Sequence, residues 1–253
     1  MIENLPSYVS DAFILTTFLT VGFLFYAVRQ TVSNTTAAKI LFALVPLWLI
    51  FQAALASSGF YLSVDVFPPR LPFLAVIPAI VLIILLFIFA RKVFISRLPL
   101  KTLTLLHLIR IPVEIVLLWL FQNGQVPQLM TFEGRNFDIF AGISAPFVAY
   151  LTFTRRTLSL QFLMVWNIIC LALLLNIVIN AVLSAPFPFQ KFAFDQPNIG
   201  VFYYPFMWLP SFIVPVILFG HLVSIRKILK GISEYRKNKV KVPEHSNRKE
   251  INL

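Results

Sequence analysis

The chain has 253 residues, of which 59% are hydrophobic and only 12% are charged, and its mean hydropathy is +0.86. Soluble domains carry roughly 25% charged residues, so this composition excludes a soluble globular protein and predicts an all-α, multi-pass membrane protein. The net charge of +11 does not indicate nucleic-acid binding, because Lys and Arg lie in short segments between apolar runs and in the C-terminal tail. We expect the chain to lie in a plasma membrane or a bacterial inner membrane, with the lipid bilayer as its main partner.

Seven apolar segments are long enough to cross a bilayer, which takes about 20 helical residues. They cover residues 11–29, 38–58, 72–94, 102–122, 137–154, 158–184 and 206–226. The fifth segment is the weakest, because Asp138 stands at its start and Gly142, Ser144 and Pro146 lower its apolar character. The N-terminus lacks the basic region of a cleaved signal peptide, so we expect the first segment to remain as a span.

The basic residues predict an orientation with the N-terminus outside and the C-terminus inside. Only Arg70, Arg135 and Lys191 fall in predicted outer segments. The inner segments carry Arg29, Lys39, Arg91, Lys92, Arg97, Lys101, Arg155, Arg156 and the many basic residues of the tail from Arg226 onward. The sequence therefore predicts a seven-transmembrane-helix bundle over residues 1–230. Residues 231–253 form a basic tail that we expect to be disordered and cytoplasmic, where anionic lipids of the inner leaflet could bind.

The fourth span carries three ionisable residues, His107, Arg110 and Glu114. An ionisable residue at membrane depth costs on the order of 2.5–3.5 kcal/mol, so it usually faces a bundle interior or a wet cavity and marks a functional site. Because each helical residue advances about 100°, the three share one narrow stripe that covers roughly 10 Å of the helix axis. The sequence predicts a buried polar pocket there, with Glu114 near the middle of the membrane and His107 toward the inner face.

Two arrangements of this stripe are open. Arg110 and Glu114 are four residues apart and can pair within the helix, or either can find a partner on another span. Pro112 lies between them, cannot donate a backbone hydrogen bond and clashes with the carbonyl of Leu108, so we expect a kink beside the stripe. Under a purely structural interpretation, an Arg110–Glu114 pair orients the fourth helix and His107 is an ordinary core histidine.

Amide side chains also occur at membrane depth, in Gln52 of the second span and in Asn167, Asn176 and Asn180 of the sixth. Such residues commonly form interhelical hydrogen bonds worth about 0.6 kcal/mol, and they can also contact a ligand. Asn176 and Asn180 share a helix face toward the outer side. They therefore join His107, Arg110 and Glu114 as candidate ligand- or proton-binding residues.

Two outer segments include aromatic residues. Residues 124–138 could fold over the mouth of the bundle and form part of a binding site, or they could be a connector with aromatics in the headgroup layer. Asp138 suits the N-terminus of the fifth helix, where the helix dipole favours negative charge. Residues 185–205 indicate an interfacial hairpin that serves as a lid or as a lipid anchor.

Three classes of function fit these patterns. The leading hypothesis is a pocket that binds or translocates a small molecule or ion, in transport or in sensing, with Glu114 as the proton or cation acceptor and no cofactor. The second is an intramembrane redox or metal-dependent enzyme, because His107 and His221 fall at similar depth and could bind haem b axially or a metal ion with a third ligand. The third is a structural or assembly protein. The sequence contains no HExxH, GxSxG, P-loop or dinucleotide-binding motif, so an enzyme is the less favoured class.

Overall fold

The computed structural model describes residues 2–31 and 34–241, with side chains for residues 2–30 and 34–234. No strand occurs in these ranges, so this part of the chain is all-helical, as its composition predicts. The α-helices are α1 (Ser7–Thr31), α2 (Thr36–Ser57), α3 (Ile77–Phe89), α4 (Leu100–Leu106), α5 (Arg110–Gln122), α6 (Ile139–Ala149), α7 (Leu160–Leu183) and α8 (Val214–Lys241).

Tighter and wider turns extend several of these helices. A 3₁₀ turn, His107–Ile109, joins α4 to α5, and a π turn, Tyr150–Thr154, continues α6. Two further π turns, Pro72–Val76 and Leu209–Ile213, lead into α3 and α8.

Counted with these turns, six helices are long and apolar enough to cross a membrane, and they define a multi-pass helical membrane protein. They are Ser7–Gln30, Thr36–Ser57, Pro72–Phe89, Leu100–Gln122, Leu160–Leu183 and Leu209–Glu234. The fifth predicted span corresponds to a shorter apolar helix, Ile139–Thr154. The described structure thus holds six full-length candidate spans, where the sequence predicts seven.

Local chemistry explains where several helices begin and how they tolerate polar residues. Thr35 and Ser159 precede α2 and α7, and their hydroxyls accept hydrogen bonds from the backbone amides of Ala38 and Phe162. Inside α1, the hydroxyls of Thr16, Thr17 and Thr20 each donate to the carbonyl four residues earlier. These bonds satisfy the hydroxyl groups within the helix itself, so α1 remains compatible with a hydrocarbon environment.

The continuous segment α4–α5 and helix α8 form the centre of the bundle. Within the most apolar window of each span, 61% of residues are buried in both Leu100–Gln122 and Leu209–Glu234, but only 11% in Pro72–Phe89. The helices α1, α6 and α7 pack around this centre, whereas α3 lies at the periphery. The ionisable stripe of the fourth span is therefore on one of the two most enclosed candidate spans of the described residues.

The segment between α5 and α6 turns back into the bundle instead of passing over it. The side chain of Asn176, in the C-terminal half of α7, donates to the carbonyl of Arg135 at 2.8 Å. A Cβ atom on Gly142 would lie 2.8 Å from a side-chain carbon of Ile111, so α6 begins near the level of Glu114. Glu114 is eight residues before the end of α5, which is about 12 Å along the helix axis. This internal start explains why the fifth span is short.

The second aromatic segment packs against the first one. The carbonyl of Gln125 accepts hydrogen bonds from the amides of Ile199 and Gly200 at 3.1 and 2.7 Å, and the Gln196 side chain donates to the carbonyls of Phe121 and Val126. Two rings of this segment, Phe187 and Phe202, are buried, whereas Phe189 and Phe194 are exposed. This segment thus packs against the end of α5 and the loop after it, and it also has exposed aromatic side chains.

The C-terminal tail begins as a continuation of α8, which runs to Lys241. The polar residues from 231 onward are therefore helical over their first part. The sequence predicts disorder in the tail up to residue 253, but residues 242–253 lie outside the described residues.

Candidate functional site

Seven buried polar residues meet near the middle of the bundle, and we refer to them as the polar network. Its members are His107, Arg110, Glu114, Asn136, Asp138, Asn167 and His221, and each is at most 4% exposed. They come from the α4–α5 segment, the re-entrant segment before α6, and helices α7 and α8. Because burying so many polar groups is costly, their mutual hydrogen bonds are needed to stabilise the arrangement.

Arg110 is the hub of the polar network. One terminal nitrogen of its guanidinium lies 2.6 Å from a carboxylate oxygen of Asp138 and 3.2 Å from the carbonyl of Cys170. The other terminal nitrogen lies 2.8 Å from Nε2 of His221. Arg110 thereby ties the start of α6 to α7 and α8, and its charge is balanced by Asp138.

Glu114 is bound by an amide and not by a cation. Asn136 places its side-chain nitrogen 2.7 Å from both carboxylate oxygens of Glu114 and 3.0 Å from the carbonyl of Met130. The side-chain oxygen of Asn136 accepts a hydrogen bond from the backbone amide of Asp138 at 3.1 Å. Among the described residues, no Lys, Arg or His forms an ion pair with Glu114.

The proton position on His221 follows from its partners. Arginine has no hydrogen-bond acceptor, so Nε2 of His221 must accept the bond from Arg110. The ring proton is then on Nδ1, which lies 3.1 Å from the side-chain oxygen of Asn167. Asn167 in turn donates to the carbonyl of Leu163 at 2.9 Å. His221 is therefore a neutral imidazole with both ring nitrogens engaged.

His107 contacts the polar network through its ring face. Its imidazole stacks on that of His221, with ring centroids 4.0 Å apart and planes tilted by 23°, and Trp166 packs edge-on at 5.5 Å. Neither ring nitrogen of His107 has a hydrogen-bond partner in the part of the chain that the structure describes. His107 therefore has unused donor and acceptor capacity, and Nε of Arg110 likewise has no partner among the described residues.

The local backbone positions these side chains. The helix that carries the stripe changes to a 3₁₀ turn at His107–Ile109, just before Pro112 removes a backbone donor. Gly142 lets α6 approach the Arg110 backbone closely, because a Cβ atom there would lie 3.3 Å from Cβ of Arg110. A mid-helix 3₁₀ stretch often marks a functional hinge, and here it coincides with His107.

The predicted site residues divide into two groups. His107, Arg110 and Glu114 all belong to the polar network, but Arg110 and Glu114 do not pair with one another. Asn176 and Asn180 are hydrogen-bonded to each other at 3.4 Å, and neither bonds to a member of the polar network among the described residues. Asn176 instead supports the re-entrant segment by binding the carbonyl of Arg135.

Sequence reasoning missed the roles of Asn136 and Asp138. The sequence predicts Asp138 at a helix start near the outer surface and Asn136 in the adjoining loop, because hydropathy alone does not indicate that this loop re-enters the bundle. The available signal was the polar pair around Phe137 directly before a short apolar segment. Asn167, expected to form an interhelical hydrogen bond, does so with His221.

The geometry does not fit axial haem binding by the two histidines. The rings contact one another face to face, whereas axial ligands lie on opposite sides of a porphyrin and point their nitrogens at the iron. Within residues 2–31 and 34–241, no cluster of three or more His, Cys, Asp or Glu side chains could hold a metal ion. Among the described residues, the polar network thus consists of hydrogen-bonding groups and one ion pair, between Arg110 and Asp138.

These features define a helical membrane bundle with a buried hydrogen-bonded polar centre. Residues 68–229 match the family described as Domain of unknown function (DUF8737). The match covers more than half of the chain, so the protein belongs to this family, and it includes every member of the polar network. Comparisons with curated proteins and with solved structures give no match.

Proposed function

We propose that this protein is a proton-coupled membrane carrier, in which Glu114 binds a proton and the polar network transmits the change to the surrounding helices. The observation that carries the proposal is the unbroken series of contacts from Glu114 through Asn136, Asp138 and Arg110 to His221. Intramembrane ionisable residues of this kind mark ion pathways and proton relays. The substrate would be a small molecule or ion.

Glu114 is the proposed proton acceptor because it can change charge without breaking an ion pair. Arg110 already has its counterion in Asp138, at 2.6 Å. A proton added to Glu114 alters instead the bond to Asn136, whose oxygen holds the backbone of Asp138 at the start of α6. Protonation would thereby alter the contacts at the start of α6, which lies inside the bundle.

His107 is the proposed relay on the inner side. Neither of its ring nitrogens has a partner among the described residues, and it lies at the 3₁₀ turn between α4 and α5 and stacks on His221. A neutral imidazole can accept a proton at one nitrogen and release one from the other. A tilt of α5 at this turn would move Glu114 and Arg110 relative to α8.

The first test measures the proton acceptor directly. Infrared difference spectra of the purified protein, recorded as the pH is changed between about 4 and 10, detect the interconversion of carboxylic acid and carboxylate. We expect Glu114→Gln to remove one buried carboxyl band and Glu133→Gln, at an exposed loop position, to leave that band unchanged. Spectra in which Glu114→Gln removes no titrating band would refute the assignment.

The second test measures coupling. Proteoliposomes with an imposed pH gradient are screened with small solutes, and dissipation of the gradient reports proton-coupled entry. A solute that discharges the gradient with the unchanged protein and with Glu133→Gln, but not with a folded Glu114→Gln variant, supports the carrier. Equal discharge by all three proteins would contradict it.

The proposal includes seven spans, with the N-terminus outside and the C-terminus inside. It rests on the distribution of basic residues and on the helix Ile139–Thr154 serving as the fifth crossing. Cys170 is the only cysteine, so single-cysteine reporters are simple to build from Cys170→Ala. Under seven spans, an impermeant thiol reagent labels Glu133→Cys from outside and Thr157→Cys only from inside. Labelling of both from the same side would refute the seventh crossing.

A structural clamp is the second candidate function. It is favoured by Arg110, whose guanidinium contacts three separate parts of the bundle. A clamp predicts that Glu114→Gln lowers stability and leaves every transport readout unchanged, whereas the carrier predicts loss of coupling in a folded variant.

A further inference from the structure

A separate feature of the protein is an apolar crevice between α2, α3 and α8, with a volume of about 520 Å³. This volume is within the range of roughly 300–1,000 Å³ that is usual for ligand sites. Its lining includes Leu41, Leu44, Trp48, Leu82, Leu86 and Val216, and it shares no residue with the polar network. We propose that this crevice binds the acyl chain of an anionic phospholipid, with the headgroup at the end where α2 begins.

The length of the crevice matches one leaflet of a bilayer. Its lining on α2 runs from Ala37 to Trp48, and these positions are about 16 Å apart along the helix axis. The hydrocarbon core of a bilayer is about 30 Å thick, so a single leaflet supplies about half of that. At the deep end, the indole of Trp48 donates to the carbonyl of Ser211 at 3.0 Å and ties α2 to α8. The space therefore suits one acyl chain and is too short for a ligand that spans both leaflets.

The crevice is open to lipid along its side. Leu44, Leu85 and Phe89 line it and are nevertheless 36%, 43% and 80% exposed. The helix α3, which forms one wall, is the least enclosed candidate span. An acyl chain can therefore enter sideways from the surrounding leaflet without any rearrangement of the central helices.

Positive charge at the mouth indicates the headgroup. Lys39 adjoins Ile40 of the lining, and Arg91 and Lys92 directly follow Ala90, the lining residue just after the end of α3. All three basic side chains are exposed. A basic residue near the membrane surface strengthens binding of anionic lipid by about fivefold, so three at one mouth favour an anionic over a zwitterionic headgroup.

Fluorescence quenching of Trp48 tests this proposal. Protein in phosphatidylcholine nanodiscs receives a minor fraction of phospholipid with brominated acyl chains, carrying either a phosphatidylglycerol or a phosphatidylcholine headgroup. Bromine quenches tryptophan on contact, and subtraction of the signal of Trp48→Phe isolates this indole from the others. We expect half-maximal quenching at a mole fraction of the brominated phosphatidylglycerol at least fivefold lower than that of the brominated phosphatidylcholine.

Matched variants separate the crevice from the general lipid surface. Ala79→Phe fills the lining of α3 and should abolish the headgroup preference, whereas Ala43→Phe, on an exposed face of α2 outside the crevice, should preserve it. Lys39→Gln should reduce the preference about fivefold, and Lys101→Gln, at an exposed position at the start of α4, should not change it. The charge variants decide the question even if Ala79→Phe does not fold.

Two results would overturn the proposal. Equal quenching by lipids with either headgroup would show that Trp48 contacts ordinary surrounding lipid. A second copy of the chain in the crevice would be shown by two results together: disulfide cross-linking between Leu82→Cys chains in a Cys170→Ala background, and no lipid quenching of Trp48. The proposal does not depend on proton binding. A Glu114→Gln variant should therefore keep the lipid preference whatever the outcome of the infrared titration.

Discussion

Removing Asp138 should destabilise the protein strongly, because it leaves the charge of Arg110 buried without a counterion. The two groups are 2.6 Å apart, and their side chains are 1% and 6% exposed. At an effective dielectric constant of 20, that separation corresponds to about 6 kcal/mol of Coulomb attraction, which the desolvation of both charges offsets in part. Loss of one partner of such a pair costs about 3–5 kcal/mol. We expect Asp138→Ala to lower the free energy of unfolding by that amount.

The double variant Asp138→Ala/Arg110→Met tests the physical reason. It contains no unpaired buried charge at this position, so it should be no less stable than Asp138→Ala alone, although it also loses the bonds of Arg110 to Cys170 and His221. Reversible unfolding in mixed detergent micelles measures the free energies. Asp65→Ala, at an exposed position, should change stability by less than about 0.5 kcal/mol. The reasoning would be refuted if Asp138→Ala lowered the free energy of unfolding by less than about 1 kcal/mol. It would also be refuted if the loss in the double variant equalled the sum of the losses in the two single variants.

Two further predictions concern helix contacts and pH. Gly142→Ala should lower the free energy of unfolding by about 1–3 kcal/mol, because its Cβ would lie 2.8 Å from a side-chain carbon of Ile111. The control Gly22→Ala should not destabilise the protein, because no atom lies within 4 Å of a Cβ at that position. The same unfolding assay measures both variants, and equal stability of the two would contradict the close packing. Burial raises the pKa of Tyr61 to about 12 from an ordinary value of 10, and its hydroxyl donates a hydrogen bond to the side-chain oxygen of Gln52. The unfolded state loses this proton first, so the contribution of Tyr61 to stability is intact below pH 10 and is lost as the pH rises to about 12. Tyr61→Phe should make the free energy of unfolding fall less steeply between pH 10 and 12. At neutral pH it should lower that free energy by about 1–3 kcal/mol, because Gln52 loses its hydrogen-bond donor. An unchanged pH slope would argue against this prediction.

The re-entrant segment gives the fold an arrangement suited to a binding centre. Irregular backbone at membrane depth is tolerated only where protein or a wet cavity surrounds it, and here Asn136 and Asp138 satisfy groups of the bundle while their own backbone is enclosed. Transporters commonly place ligands near the starts of interrupted helices at the membrane midplane. Helix α6 begins at the level of Glu114 with Asp138 beside it, so the start of this helix and the proposed proton site form one unit.

The sequence by itself determined the class of protein and the helix that carries the site. Transfer free energies are local and nearly additive along the chain, so runs of apolar residues predicted seven spans, six of which are full-length candidate spans in the described structure. The same reasoning indicated that His107, Arg110 and Glu114 need an enclosed environment, because each is costly in hydrocarbon wherever its partners come from. These conclusions required no knowledge of which helices are neighbours.

Only the tertiary structure decided the partners. Arg110 binds Asp138, 28 positions along the chain, and not Glu114 on the next helical turn. His107 stacks on His221 of the last span. Pairing energies depend on which helix faces meet and at what depth. The depth of Asp138 is set by the re-entrant segment before α6, and Gly142 allows that helix to pack closely against α5. A local pattern fixes how strongly a charge needs a partner, but the packing of distant segments determines which partner it finds.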